Sequence, residues 1–197
     1  MSRPSPEPAD DQRLIADCLR GRTSAFGELV RRYQDRLFNT VYRLLDNAED
    51  AQDVVQDAFV HAYQSLKSFK GDSLFFTWLY RIAVNAAISW RRKQRATVRL
   101  HFNPDSDSGG LEPADLTEMS QPGFALEQAE EGRRIQAALN RVSAEHRAVL
   151  ILKDMEGQKY ETMADILEVP IGTIRSRLHR ARLELREVLE QLEQEGK

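Results

Sequence analysis

Residues 161–189, ETMADILEVPIGTIRSRLHRARLELREVL, decide the fold. Glu161 to Leu167 reads as a short helix, Glu168-Val169-Pro170 as a tight turn, and the stretch from Ile171 onward as a long amphipathic helix. Pro170 suits the first helical turn, where the amide hydrogen it lacks has no partner in any case. Ala164 is small enough for two helices to cross closely, and Ile174, Leu178, Ala181 and Leu185 fall on one inward stripe. This is the pattern of a helix-turn-helix. Thr173, Arg175, Ser176, Arg177, His179, Arg180 and Arg182 are left facing outward. Guanidinium forks match guanine edges and phosphates, and a hydroxyl with free amides at a helix start matches a phosphate. The rival reading is an ordinary solvated helix. A solvated face alternates in sign, however, and this one is nearly all arginine, so it is read as a DNA-contacting surface.

The net charge of -3 over 197 residues hides a segregated pattern. Arg81, Arg91, Arg92, Lys93 and Arg95 stand in a stretch with no acidic residue. Arg175, Arg177, Arg180, Arg182 and Arg186 share theirs with Glu184 alone. Asp46, Glu49, Asp50, Asp53 and Asp57 form an acidic block containing no base. Two basic faces for one partner and an acidic face for another follow from that arrangement.

Upstream, residues 12–96 read as four helices of period 3.6. The first carries Leu14, Cys18 and Leu19; the second Phe26, Leu29, Val30, Tyr33, Leu37, Val41 and Leu44. The third begins after Asn47 and carries Ala51, Val54, Val55, Ala58, Phe59 and Ala62. A connector, SFKGD at 68–72, offers Gly71 for a turn and Asp72 or Ser73 as a cap for a fourth helix spanning about Leu74 to Ala96. Periodicity fails over 97–125, where Pro, Gly, Ser and Asp give the composition of a flexible acidic linker. Helices resume with Ile135, Ala138, Leu139 and Val142, then from Ala144 to Met155, before the helix-turn-helix. The expected architecture is all-α, in two small helical domains at 12–96 and 126–192, after a disordered tail at 1–11.

Composition excludes several classes. The single cysteine, Cys18, has no partner for a disulfide and no neighbours at zinc spacing. No signal peptide and no membrane span are visible, so a cytoplasmic protein without membrane insertion is expected. Glu49, Asp53, Asp57 and His61 recur every four residues on one helix face, where a divalent metal is conceivable. Bundle metal sites need matching carboxylates from facing helices, and no second Glu or His series is present, so no metal is assigned. No catalytic triad or phosphate loop is present either, and neither enzymatic activity nor a cofactor is expected.

FKGDSLFFTWLYRIAVN at 69–85 and PIGTIRSRLHRAR at 170–182, with EDAQDVVQDAFVHAY at 49–63 before them, resemble bacterial RNA polymerase sigma factors of the extracytoplasmic-function group over nearly the full chain. The resemblance implies a sigma2-like bundle and a sigma4-like helix-turn-helix joined by the linker. These would bind the minus 10 and minus 35 promoter elements while attached to core polymerase at its beta-prime clamp and beta flap. On this basis Asp50, Asp53, Gln56 and Asp57 are the docking residues for the clamp. Like charges four residues apart destabilise an isolated helix, and a basic partner relieves them. Phe69, Lys70, Phe75, Phe76, Trp78, Arg81 and Asn85 correspond to the minus 10 loop, which holds a flipped base by stacking and edge hydrogen bonds. Some of these aromatics must be core; Trp78, Leu79 and Ile82 lie on the inward stripe. Arg81, Arg91, Arg92 and Lys93 would then hold phosphates.

Leu79 stands where housekeeping members carry a second tryptophan, which implies weaker stacking and a stringent promoter choice. Glu168 occupies a turn position where glycine is common, and Thr162-Met163 replaces the family's usual Glu-Ile. Asp105, Asp107, Glu112, Asp115 and Glu118 give the linker a charge that either mimics RNA or only solvates a tether. The resemblance also implies an anti-sigma partner. A stand-alone helix-turn-helix repressor or activator, with a ligand-sensing or dimerising first domain, is the other reading.

Overall fold

A computed structural model describes residues 8–100 and 122–195. Eight α-helices hold most of the described residues, which contain no strand. The first domain comprises α1 (Pro8–Leu19), α2 (Thr23–Leu45), α3 (Ala48–Gln64) and α4 (Phe75–Leu100), with a 3-10 turn at Leu66–Ser68. The second comprises α5 (Pro122–Arg141), α6 (Ala144–Leu150), α7 (Tyr160–Leu167) and α8 (Ile171–Glu195).

The α2 helix follows the expected stripe: Leu29, Leu37 and Val41 are fully buried, each worth about 1.5–3 kcal/mol of transfer free energy. It stops at Asp46, which adopts the left-handed conformation at φ 59° and donates its amide to the Tyr42 carbonyl at 2.7 Å. The Asn47 side chain then caps α3, accepting the Asp50 amide at 3.1 Å. Sharp reversal and cap together set α3 back against α2.

Several expected boundaries shift. The tail assigned to 1–11 loses its end to α1, because Asp11 is buried and takes Arg32 at 2.5 Å and the Tyr33 hydroxyl. Asp10 also pairs with Arg32. Burial pushes the Tyr33 phenol well above its usual range, and Asp11 adds to that. Neither Asp72 nor Ser73 is the observed start of α4; the Leu74 carbonyl accepts the Trp78 amide at 3.2 Å, and Ser73 donates to Leu74 instead. The span read as linker, 97–125, begins and ends as helix, since α4 continues to Leu100 and α5 starts at Pro122. The acidic residues Asp105 to Glu118 lie outside the described residues. The helix expected from Ala144 to Met155 has its length but not its uniformity: its last five residues, Ile151–Met155, form a π-helical turn.

The two domains pack into one continuous core, running from Leu14 to Val188, with α4 and α7 lying side by side at the junction. Arg147, on α6, is fully buried there and donates to the Leu44 carbonyl of α2 at 2.9 Å. Arg91, on α4, donates to Leu44, Leu45 and Asn140 carbonyls at 3.2, 3.3 and 3.0 Å.

Candidate nucleic-acid interface

Two surfaces carry the residues singled out above. On the first, Ile174, Leu178 and Ala181 anchor α8 in the core at 0, 2 and 0% exposure. The helix is set by the turn before it. Glu168 ends α7 in the left-handed conformation at φ 53°, and the Pro170 carbonyl accepts the Thr173 and Ile174 amides at 2.8 and 3.1 Å. Arg175, Ser176, His179, Arg180 and Arg182 are then exposed, with Thr173 and Arg177 half-buried. The Ser176 hydroxyl donates to the Thr173 carbonyl at 3.1 Å, so it faces the first turn. Arg180 donates to the Ser176 carbonyl at 3.3 Å. Arg182 pairs with Asp154 at 2.5 Å and Arg175 lies over the Tyr160 ring at 5.9 Å.

The second surface surrounds the connector. Gly71, at φ 78°, turns the chain through a conformation that side chains disfavour. The connector and the first turns of α4 enclose a recess of about 300 Å³, lined by Phe69, Lys70, Trp78 and Arg81, with Asp165 of α7 at its edge. Trp78, expected to stack on a base, is buried in the core at 8% exposure; the half-buried Phe69 lies 5.2 Å from it, tilted against it, and presents the more accessible ring to the recess. A planar base can stack there, with cations near its phosphate.

The other expected residues divide. Phe75 is 2% exposed, packed 5.8 Å from Tyr33, and belongs to the core. Phe76, half-buried, lies 4.0 Å from Tyr80 and carries Arg36 over its ring at 4.5 Å. Leu79 is fully buried, so its replacement of a tryptophan leaves the recess wall unaltered. The expected link from Leu79 to stacking strength therefore loses its geometric basis. The Asn85 amide donates to the Ile166 carbonyl of α7 at 3.1 Å, and Arg92 pairs with Glu145. Lys70 and Lys93 are exposed. Arg91, as described, is committed to main-chain carbonyls between the domains.

The acidic face of α3 presents Asp53, Gln56 and Asp57 to solvent, with Val60 and Tyr63 exposed further along the helix. Asp50 is half-buried and accepts Gln94 at 3.1 Å. Among the described residues no group of three potential metal ligands gathers on this face or elsewhere.

Residues 29–97 match the family model for Sigma-70 region 2, and residues 132–185 that for Sigma-70, region 4. The RNA polymerase sigma-H factor of Pseudomonas aeruginosa is 36% identical over 94% of this chain and 97% of its own length. The chain is a sigma factor of the extracytoplasmic-function group. The ECF RNA polymerase sigma-E factor of Escherichia coli is 37% identical over 89% of this chain and 92% of its own. Two solved structures share its fold. CnrH, in complex with the cytosolic domain of CnrY, has a TM-score of 0.64 and 26% identity over 92% of this chain and 98% of that one. RpoE of Bartonella quintana, in complex with the anti-sigma factor NepR, has a TM-score of 0.63 and 29% identity over 84% and 96%.

As a sigma factor the protein binds core RNA polymerase and directs promoter-specific initiation, its region 2 domain reading the minus 10 element and its helix-turn-helix the minus 35 element. No helix among the described residues is long and apolar enough to cross a membrane. Three of the sigma factor's surface features had gone unread in the sequence. Arg36 lies one turn after Arg32 on α2, but nothing in the spacing announces the Phe76 ring beneath it. Asp165 and Glu156 come from the other domain, and only the packed molecule brings them to the region 2 surface.

Proposed function

We propose the following division of labour within this sigma factor. Phe69, backed by the buried Trp78, stacks against an unpaired base in the recess, while Lys70 and Arg81 hold the adjoining phosphates. Asn85, Arg92 and Lys93 extend that grip along the strand. On α8, Arg175, Arg177 and Arg180 take base edges and phosphates of duplex DNA, with Thr173 and Ser176 at the start of the helix. Asp50, Asp53, Gln56 and Asp57 dock on a basic surface of core polymerase. The observation that carries this reading is the recess itself, where the Phe69 ring, backed by Trp78, meets Lys70 and Arg81 around a cavity large enough for a base.

The protein contributes binding energy and position, with polymerase supplying all covalent chemistry in the cytoplasm. The pairing of RpoE of Bartonella quintana with the anti-sigma factor NepR supports an anti-sigma partner for this chain as well.

Footprinting on genomic fragments tests the scheme. The protein with core polymerase protects both promoter elements and leaves thymines at minus 10 reactive to permanganate; the protein alone protects neither. Strong, specific duplex protection without core would instead favour a stand-alone repressor.

A further inference from the structure

Behind the recess lies a buried polar node. The Asp11 carboxylate of α1, 5% exposed, accepts Arg32 at 2.5 Å and the hydroxyl of Tyr33, itself 3% exposed. The Tyr33 ring lies 5.8 Å from Phe75 and 6.0 Å from Phe76, the two residues that open α4. Phe75 in turn stands 5.9 Å from Phe69, edge to face, and 5.8 Å from Trp78. We propose that Tyr33, fixed by Asp11, is a positioning residue for the minus 10 grip: its hydroxyl–carboxylate bond sets the ring that sets Phe75, and through Phe75 the Phe69 face that receives the base. The proposal rests on the reading of Phe69 as the ring that stacks on an unpaired base.

A phenylalanine would fill nearly the same space as Tyr33, so what the hydroxyl adds is one directed bond. Burial and Asp11 both keep the phenol protonated, and therefore a donor, while Arg32 balances the carboxylate. The bond fixes how deep the ring sits and how it is turned.

Ring depth matters because the Ser73 hydroxyl donates to the Leu74 carbonyl instead of capping α4, which leaves packing behind the first turn to set the register of that helix. Rings in edge and tilted contact pass a displacement on, since a close-packed interior has no slack. A binding surface works only when its supporting side chains hold it to within about 0.5 Å. The same helix α1 packs on the 3-10 turn at Leu66–Ser68, which leads straight into Phe69. Although α1 precedes the region 2 stretch at 29–97, it thus supports the recess from two sides.

The test uses holoenzyme and fork-junction DNA from a promoter that it transcribes, with the nontemplate minus 10 strand single-stranded and carrying an abasic site at each position in turn. The base that Phe69 holds is the one whose abasic penalty Phe69→Ala abolishes. Tyr33→Phe should weaken binding of the intact strand about fivefold, and of the strand abasic at that position by less than about twofold. Asp11→Asn should show the same pattern, and the double variant should add little, because both act through one bond. Val41→Ala, a fully buried core change two turns farther along α2, should keep the wild-type ratio of intact to abasic affinity. Equal weakening of both strands by Tyr33→Phe, or no weakening of either, overturns the positioning role alone. Failure of the Phe69 reading looks different: Phe69→Ala would then keep the wild-type penalty at every position, which removes both claims.

Discussion

At the scale of single residues, two side chains sit at odds with their surroundings, and both point to the junction between domains. Arg147 is a fully buried arginine immediately before the apolar run AVLIL, and one of its hydrogen bonds crosses to the Leu44 carbonyl. Replacing it with alanine removes a charge-assisted bond and buried packing together, which costs roughly 2–4 kcal/mol. Urea unfolding of the full chain should show that loss, with Arg147→Lys recovering less than half because an ammonium cannot reproduce the guanidinium's planar fork. Glu168 is the reverse case. Glu168→Gly relieves left-handed strain but gives the unfolded chain more freedom, so the two effects nearly offset. The urea midpoint should move by less than about 1 kcal/mol equivalent.

Among the helices, legibility followed how local the cause was. The stripes of α2, α3 and α8 could be read from spacing because burial of one face imposes a 3.6-residue period on a helix wherever it packs. Phe75 and Phe76 could not be separated in that way. Both are aromatic and adjacent, and only the register of α4, set at Leu74, decides that Phe75 enters the core while Phe76 lies under Arg36. Asn85 was identifiable as an amide among apolar residues, but its Ile166 partner is a carbonyl, and a carbonyl has no side-chain signature. On α3 the acidic series leaves a clear expectation. Asp53→Ala with Asp57→Ala removes two exposed like charges four residues apart, so the thermal midpoint should hold or rise slightly. Affinity for core polymerase, read by gel filtration or fluorescence anisotropy, should fall about tenfold or more. Undiminished core binding would remove the docking assignment.

For the whole molecule, the sequence made two helical domains visible but not their contact. Each cross-domain pair joins residues far apart in the chain, such as Arg36 with Glu156, and neither partner is unusual in its own neighbourhood. The contact should respond to acid in a definite direction. Burial alone would raise the Glu145 carboxyl, but its backbone amide bond and the nearby Arg92 and Arg177 outweigh that, and the net result lies below the usual glutamate range. A depressed carboxylate gives its full stabilisation above the unfolded value and loses it as pH falls through the folded one. The stability that Glu145 contributes, followed by urea unfolding, should therefore be fully present above the ordinary glutamate value and be lost as the pH falls below it.

The central claim is that one chain grips a promoter at two places while polymerase holds it. Single-round run-off transcription with purified core enzyme tests this directly. The wild-type protein should produce a transcript that depends on its addition. Lys70→Ala with Arg81→Ala in region 2, and Arg175→Ala with Arg180→Ala on α8, should each reduce that transcript at least about tenfold, the cost of one or two lost base or phosphate contacts. Both double variants transcribing like wild type, while still binding core, would contradict the account.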